Sequence, residues 1–282
     1  MSRILIQTTI PYAADDWNAG RFSLVTELLR QTHSVTARDK EGSPDPVLAR
    51  LDRGDFDQVW LIAVDTGNGL SLDECKVLSN FRRAGGGLFV LRDHMDLGSS
   101  ICDLGGIGPA HHFHSRNLDP DEANRRRDDT QTLAIDWPNF HSGANGDVQE
   151  IEIVEPLHPL LRRADGTPLR YFPAHPHEGD VGAPPDDPTA RVIARGRSQT
   201  TGRHFNIAVA FDARGDEGNG LAESTFHHIA DYNWDVSMGA PSFVSEPPGT
   251  QIANDPHSLD DIKQYCRNVA EWLVKAPMKV SA

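Results

Sequence analysis

Over its first ninety residues the chain alternates between short apolar runs and amphipathic stretches, and no other feature of the sequence restricts the fold as tightly. Arg3–Ile10 reads as a buried strand. Asn18–Gln31 follows as a helix, with Phe22, Val25, Leu28 and Leu29 on one face. Ser34–Arg38 is a short strand and Pro46–Leu51 a short helix. Phe56–Val64, FDQVWLIAV, is apolar enough to lie in the middle of a sheet. Ser71 then caps a helix, with Glu74 three residues on to complete a capping box. That helix stops at Gly85-Gly86-Gly87, and Leu88–Leu91 forms the fourth strand. Strands separated by helices of this length predict an α/β fold whose mostly parallel sheet is covered on both faces.

From Arg92 to about Asp147 the periodicity fails. This stretch is rich in Gly, Asp, Asn and His, and it reads as an irregular insertion at about 95–148 within one domain spanning 1–282. Segments of that length without regular elements are usually functional or mobile. Gln149–Glu155, Arg191–Arg195, His204–Phe211 and Leu221–Phe226 are strand-like. Leu259–Leu273 closes the pattern as a helix with Ile262, Tyr265, Cys266, Val269 and Leu273 on one face.

A chain of 282 residues can bury a substantial core, and its formal net charge of −14 argues against a nucleic-acid or anionic-membrane surface. The one basic run, Arg125-Arg126-Arg127, is followed at once by Asp128-Asp129 and reads as a solvated loop. Cys75, Cys102 and Cys266 are sparse and odd in number, which fits a reducing compartment without a disulfide framework. No segment approaches 18 uninterrupted apolar residues, and MSRILIQTTI runs straight into a strand. The expected setting is therefore cytoplasmic.

In open parallel sheets, ligands bind at the carboxyl ends of the strands. The fourth strand ends in Asp93 and His94, and the last core strand runs into STFHHIADYN, with His227, His228 and Asp231 just beyond it. The insertion holds His111, His112 and His114 in PAHHFH, and Asn139 and His141 in NFHSGANGD; these are candidate substrate-binding residues together with Asp231. The segment AHPHEGDV carries His175, His177 and Glu178. Pro176 pushes His175 into an extended conformation, and alternate residues of an extended chain project to the same side. His175 and His177, with His227 and His228, are thus candidate ligands for a divalent metal ion, zinc or iron. Asp93, His94 and Glu178 are candidate catalytic groups. His33, His204 and His257 read as structural or solvent-facing, and His158 as part of a helix-initiating turn. The strip Pro241–Thr250 suits either a loop that clamps the C-terminal helix or a partner contact. No GxSxG elbow, dinucleotide fingerprint, Walker motif, HExxH or zinc-finger spacing is present.

The run FDQVWLIAV…SLDECKVLSNFRRAGGGLFVLRDH resembles the trehalose-utilisation (ThuA-like) branch of the class I glutamine amidotransferase-like superfamily. EPLHPLL, FPAHPHEG, AESTFHHIADYN and RNVAEWL match further elements of that branch. The resemblance implies a flavodoxin-like three-layer sandwich with a role in sugar or keto-sugar chemistry. It also implies that amidotransferase chemistry is lost, because Asp93-His94 stand where the nucleophilic cysteine of the glutaminase elbow would be.

These residues together point to a metal-dependent hydrolase of a small polar substrate, amide or sugar-like, that uses metal-activated water. Asp93 or Glu178 would take a proton and His94 would donate one. The competing readings are a metal-free lyase, isomerase or hydratase run by histidine and carboxylate pairs, and a non-catalytic ligand-binding or assembly subunit. Partners are expected to be a small-molecule substrate and other copies of the chain in a homo-oligomer, with neither nucleic acid nor membrane.

Overall fold

Twelve strands and five α-helices follow one another in an order set by the sequence rhythm. The computed structural model describes residues 1–66, 69–99, 102–129 and 132–274. In chain order they are β1 (Arg3–Thr8), α1 (Ser23–Arg30), β2 (Ser34–Arg38), β3 (Gln58–Ile62), α2 (Leu72–Arg83), β4 (Gly87–Leu91), β5 (His111–His112), β6 (Val148–Glu150), β7 (Glu152–Ile153) and β8 (Tyr171–Pro173). There follow β9 (Asp180–Val181), β10 (Ala190–Arg197), β11 (His204–Phe211), β12 (Gly220–Glu223), α3 (Asp231–Trp234), α4 (Gln251–Asn254) and α5 (Asp260–Trp272).

The central sheet has eight strands in the order β2-β1-β3-β4-β12-β11-β10-β7. The first five of these are parallel; β11, β10 and β7 extend the sheet antiparallel. Each inner strand is apolar on both faces, as burial on both sides demands. Ile4, Ile6, Trp60, Ile62, Phe89 and Leu91 face one layer with Val25 and Leu29 of α1 and Ile262 and Val269 of α5. The residues between them, Leu5, Val59, Leu61, Leu88 and Val90, face the other layer with Leu78 and Phe81 of α2. Two helical layers thus sandwich one sheet, an α/β fold of the flavodoxin-like kind.

Local signals account for most boundaries. Ser71 accepts a hydrogen bond from the Glu74 backbone N–H while the Glu74 side chain accepts from that of Ser71, so the expected capping box starts α2. Asn18 caps a 3-10 turn (Ala19–Phe22) that leads into α1, which is why that helix begins later than its apolar spacing alone suggests. Pro46–Leu51 shortens to a 3-10 turn over Leu48–Arg50.

Two expectations are overturned. Gln149–Glu155 is two short strands, not one: β6 pairs with β8 in a separate ribbon, whereas β7 joins the edge of the central sheet through β10. The chain changes partner at Ile151, whose N–H donates to the Arg170 carbonyl. Cys75 and Cys102 form a disulfide across a separation of 27 residues, contrary to the expectation of free thiols. The loop after β4 returns beside α2, and that tertiary approach leaves no mark on cysteine spacing. Cys266 is free and buried.

The described residues of 95–148 hold three 3-10 turns (Leu104–Gly106, Gly108–Ala110, Glu122–Asn124), β5 and the start of β6. Ser100, Ile101, Thr130 and Gln131 of that segment lie outside the described residues. No helix among the described residues is long and apolar enough to cross a membrane.

Candidate metal and catalytic site

The parallel pairing of β4 with β12 aligns Leu91 with Glu223, so the residues that follow each strand emerge side by side. Asp93 leaves β4 there, and its Oδ1 accepts a hydrogen bond from the Thr225 hydroxyl at 3.0 Å. The loop 174–179 crosses the same two strand ends. Gly179 donates its backbone N–H to the Ser224 carbonyl, and a Cβ at this position would collide with the Ser224 and Asp93 carbonyl oxygens. Only glycine lets the loop press onto the seam between the strands. Pressed there, it delivers His175 to Asp93.

Asp93, His175 and His227 offer ligand atoms that all lie within 4.8 Å of one another, and all three residues are buried. His175 Nε2 is 3.5 Å from Asp93 Oδ1, and His227 Nε2 is 3.3 Å from Asp93 Oδ2. The two imidazoles stack, with ring centroids 3.6 Å apart and planes at 9°.

Two asparagines decide which ring nitrogens carry hydrogen. Asn233 donates through Nδ2 to the Ala174 carbonyl and to Asn145 Oδ1, which fixes the orientation of both amides. Asn145 Oδ1 then faces His175 Nδ1 at 2.9 Å, and Asn233 Oδ1 faces His227 Nδ1 at 3.1 Å. Both histidines must therefore donate from Nδ1, leaving Nε2 of each turned to the Asp93 carboxylate. His175 Nε2 is buried with no hydrogen-bond partner. Burial holds the His175 imidazole well below its ordinary pKa, with the His227 ring acting in the same sense. Burial would raise the Asp93 carboxyl, but His94, His175 and His227 outweigh it and keep it well below the usual carboxylate range.

Two imidazole Nε2 atoms turned onto one buried carboxylate make a compact candidate ligand set. Two imidazoles and one carboxylate, with no thiolate, suit zinc or iron with positions left open. The asparagines do what outer ligand-orienting groups do at metal centres, holding the tautomer and the ring plane.

A cavity of about 320 Å³ opens onto this group. His94 and His177 stand on its wall, their ring centroids 5.6 Å apart. His94 Nε2 lies 3.8 Å from Asp93 Oδ2, while its Nδ1 is buried and unpartnered. Burial drives the His94 pKa down to about 4, so it stands as a proton acceptor at neutral pH where the sequence suggested a donor. His177 lies outside the three-residue group. Its Nδ1 is 3.1 Å from Asn139 Oδ1 and its Nε2 2.9 Å from Glu246 Oε1, so both nitrogens are engaged. Glu246 also accepts from the Thr132 hydroxyl at 2.7 Å. Burial works against its charge, but Thr132 and His177 hold its carboxyl below the ordinary value.

Glu178 and His228 do not join the group. The AHPHEG segment turns at Pro176 and His177; His175 and His177 line the cavity, while Glu178 enters the protein interior. Fully buried, Glu178 accepts from Ser142 and Ser224 at 2.9 Å each and from Gln149. His228 points away from its neighbour His227 within the 3-10 turn Phe226–Ile229, and its Nε2 lies 3.1 Å from Glu178 Oε1. Burial opposes its protonation, yet Glu178 and Glu223 raise it to about 10. This is an internal ion pair that ties the histidine loop to β12.

The candidate substrate-binding residues scatter. Asn139 reaches the cavity wall through His177. Asp231 instead accepts from the Ser23 N–H and hydroxyl and from the Leu24 N–H, capping α1 from a distance. His111 and His112 form β5 against β9. His112 Nδ1 lies 2.9 Å from Asp180 and 3.5 Å from Asp119; its donor nitrogen is committed to these carboxylates, and the trio reads as an ion cluster. His114 packs edge-on to Trp137, and His141 is buried with Nδ1 unpartnered. Neither lines the cavity among the described residues.

Sequence reasoning missed Trp17, Asn145, Asn233 and Glu246 as contributors. Asn145 and Asn233 sit in the quoted NFHSGANGD and IADYN stretches, beside the singled-out histidines. The Pro241–Thr250 strip carries Phe243, Val244, Ser245 and Glu246 to the cavity wall, and Thr250 donates its N–H to Asp147.

No protein-family model matches the sequence, and no curated protein matches it. Among solved structures, a protein described as ThuA-like from Parabacteroides merdae superposes on 100% of this chain and 92% of its own, with a TM-score of 0.55 and 11% identity. The chain has the fold of that ThuA-like protein. The mmIFT52 N-terminal domain superposes on 99% of this chain and 100% of its own, with a TM-score of 0.50 and 12% identity. A second protein described as ThuA-like, from Bacteroides uniformis, aligns over 98% of this chain and 93% of its own at a TM-score of 0.48 and 10% identity. The ThuA-like resemblance read in the sequence therefore holds as a statement about fold; at these identities it carries no activity with it.

Proposed function

We propose that this chain is a metal-dependent hydrolase of a small molecule, with a zinc or iron ion held by Asp93, His175 and His227. The observation that carries the reading is the asparagine pair, which turns both imidazole Nε2 atoms onto one carboxylate. A divalent ion at such a site polarises a carbonyl and makes water a nucleophile near neutral pH.

The remaining groups supply what hydrolysis needs from the protein. His175 and His227 would serve as ligands through Nε2, each ring held at Nδ1 by its asparagine. Asp93 contributes negative charge and is held in place by Thr225. His177, engaged at both ring nitrogens by Asn139 and Glu246, fixes the cavity wall beside the site. His94 faces the same space with one ring nitrogen unpartnered.

The test is metal analysis of purified protein together with hydrolysis of a panel of amides and esters. The expected outcome is about one tightly held zinc or iron per chain, lost in His227→Ala along with turnover. Full activity in verified metal-free protein would overturn the reading and favour histidine–carboxylate acid–base chemistry instead.

A further inference from the structure

We infer that the substrate of this site carries an apolar, ring-sized body beside its reacting polar group, and no anionic group away from the metal. The inference rests on the metal-hydrolase reading above and gives that site its substrate class.

The cavity is built from two kinds of surface. Its polar lining is Asp93 with the neighbouring histidines, together with Asn145, Thr132, Ser245 and Glu246. The rest of the lining includes Trp17, Val64, Leu97, Ile135, Phe226 and Phe243. The apolar surface begins directly against a proposed ligand: Trp17 meets the His227 ring edge-on at 4.6 Å, and Phe226 stacks on it at 4.5 Å. Trp17 is 5% and Phe226 1% exposed, so these walls are fixed by the core. Phe243, 60% exposed, stands at the rim on the 241–246 segment that Glu246 ties to His177 and Thr132.

A sugar needs donors and acceptors along its whole length, and a phosphate or carboxylate set away from the metal needs a lysine or arginine. Among the described lining residues there is neither lysine nor arginine, while Asp93 and Glu246 both add negative charge. A volume of about 320 Å³ is at the small end for ligand sites, and roughly twice the ~150 Å³ in which an apolar cavity holds benzene. One ring plus a polar head fills it. A neutral amide or ester of an aromatic or branched aliphatic group fits these walls; a polyol does not.

The test pairs acetohydroxamic acid with benzohydroxamic acid, which share a metal-binding head and differ by the ring. Calorimetry on the full zinc-loaded chain should show benzohydroxamate binding at least ~10-fold tighter. Phe243→Ala should cut that advantage several-fold while changing acetohydroxamate little. Equal affinities, or tighter binding of a polyhydroxylated hydroxamate, would overturn the inference. Saturation-transfer NMR of the benzohydroxamate ring on metal-free protein separates the two ideas. If zinc does not bind, the metal reading fails, yet ring saturation that Phe243→Ala removes still supports the apolar pocket. Absence of that ring signal in both the zinc-loaded and the metal-free protein sinks it.

Discussion

Asn233 and Asn145 are joined side chain to side chain, Nδ2 of the first donating to Oδ1 of the second at 2.8 Å, and through that bond two histidines 52 positions apart share one tautomer. Under the proposed metal reading, affinity depends on residues that touch no metal. Asn233→Ala is expected to lower zinc affinity by about 10- to 100-fold, the usual effect of losing an orienting partner. Competition against a chelator of known affinity measures it. An unchanged affinity would mean the rings are held by stacking alone.

Gly179 sets the height of the histidine loop above the strand ends. Gly179→Ala places a methyl group against the carbonyl oxygens of Ser224 and Asp93. The backbone has to move away, so His175 retreats from Asp93 and metal binding should drop by at least ~10-fold. The fold itself loses a few kcal/mol at most, about what an overpacked core site costs. Metal titration beside a thermal melt distinguishes the two losses.

Asp231 lies next to the site in sequence and outside it in space. Its carboxylate takes three hydrogen bonds at the start of α1, so Asp231→Ala should cost about 1–2 kcal/mol of stability, as removal of a capping side chain does. Zinc affinity should stay within about twofold of the parent. Denaturant titration and metal binding on one preparation check both halves.

His112 gives the fold a pH dependence of definite sign. Burial opposes its charge, but Asp119 and Asp180 raise its pKa to about 9, with Arg92 close by as an opposing cation and Asn124 bonded to Asp119. A histidine raised above its unfolded value of ~6.5 contributes stability that is fully present below that pH and fades as pH climbs through 9. Asp180, raised to about 6 by burial, loses stability in the same direction at lower pH. Unfolding free energy measured in urea should therefore fall between pH 6.5 and 9.5, and fall less in His112→Asn. A flat profile in the parent protein would show that the cluster is neutral.

Much of the sheet was legible because its strands had no choice. A run such as VWLI within β3, apolar at every position, can be satisfied only between two layers, and Ser71 with Glu74 announces the helix that follows. The placing of reactive groups at strand ends was legible for the same reason, since Asp93 and His227 each follow a buried strand. The fate of Gln149–Glu155 was not, because no local signal marks where a chain leaves one ribbon for another. Nor was the Cys75–Cys102 bond, which depends on a loop folding back over α2. Glu178 lies inward because its backbone bridges Phe140 after the turn at Pro176 and His177, a pairing that leaves no local mark in the sequence. His228 also lies inward, in the turn after β12. Asn145 and Asn233 could not be singled out, because their work is defined by rings 30 and 6 positions away.

The position of β12 has a consequence for how the molecule comes into being. Among the described residues, this four-residue strand, arriving after residue 219, joins the parallel half of the sheet to the β11–β10–β7 extension. Until it threads between β4 and β11 the two halves share no backbone hydrogen bonds, and neither Thr225 nor His227 can meet Asp93. Assembly of the reactive centre thus coincides with the last seam of the sheet being sewn, so a nascent chain released before that strand is made cannot carry the complete centre.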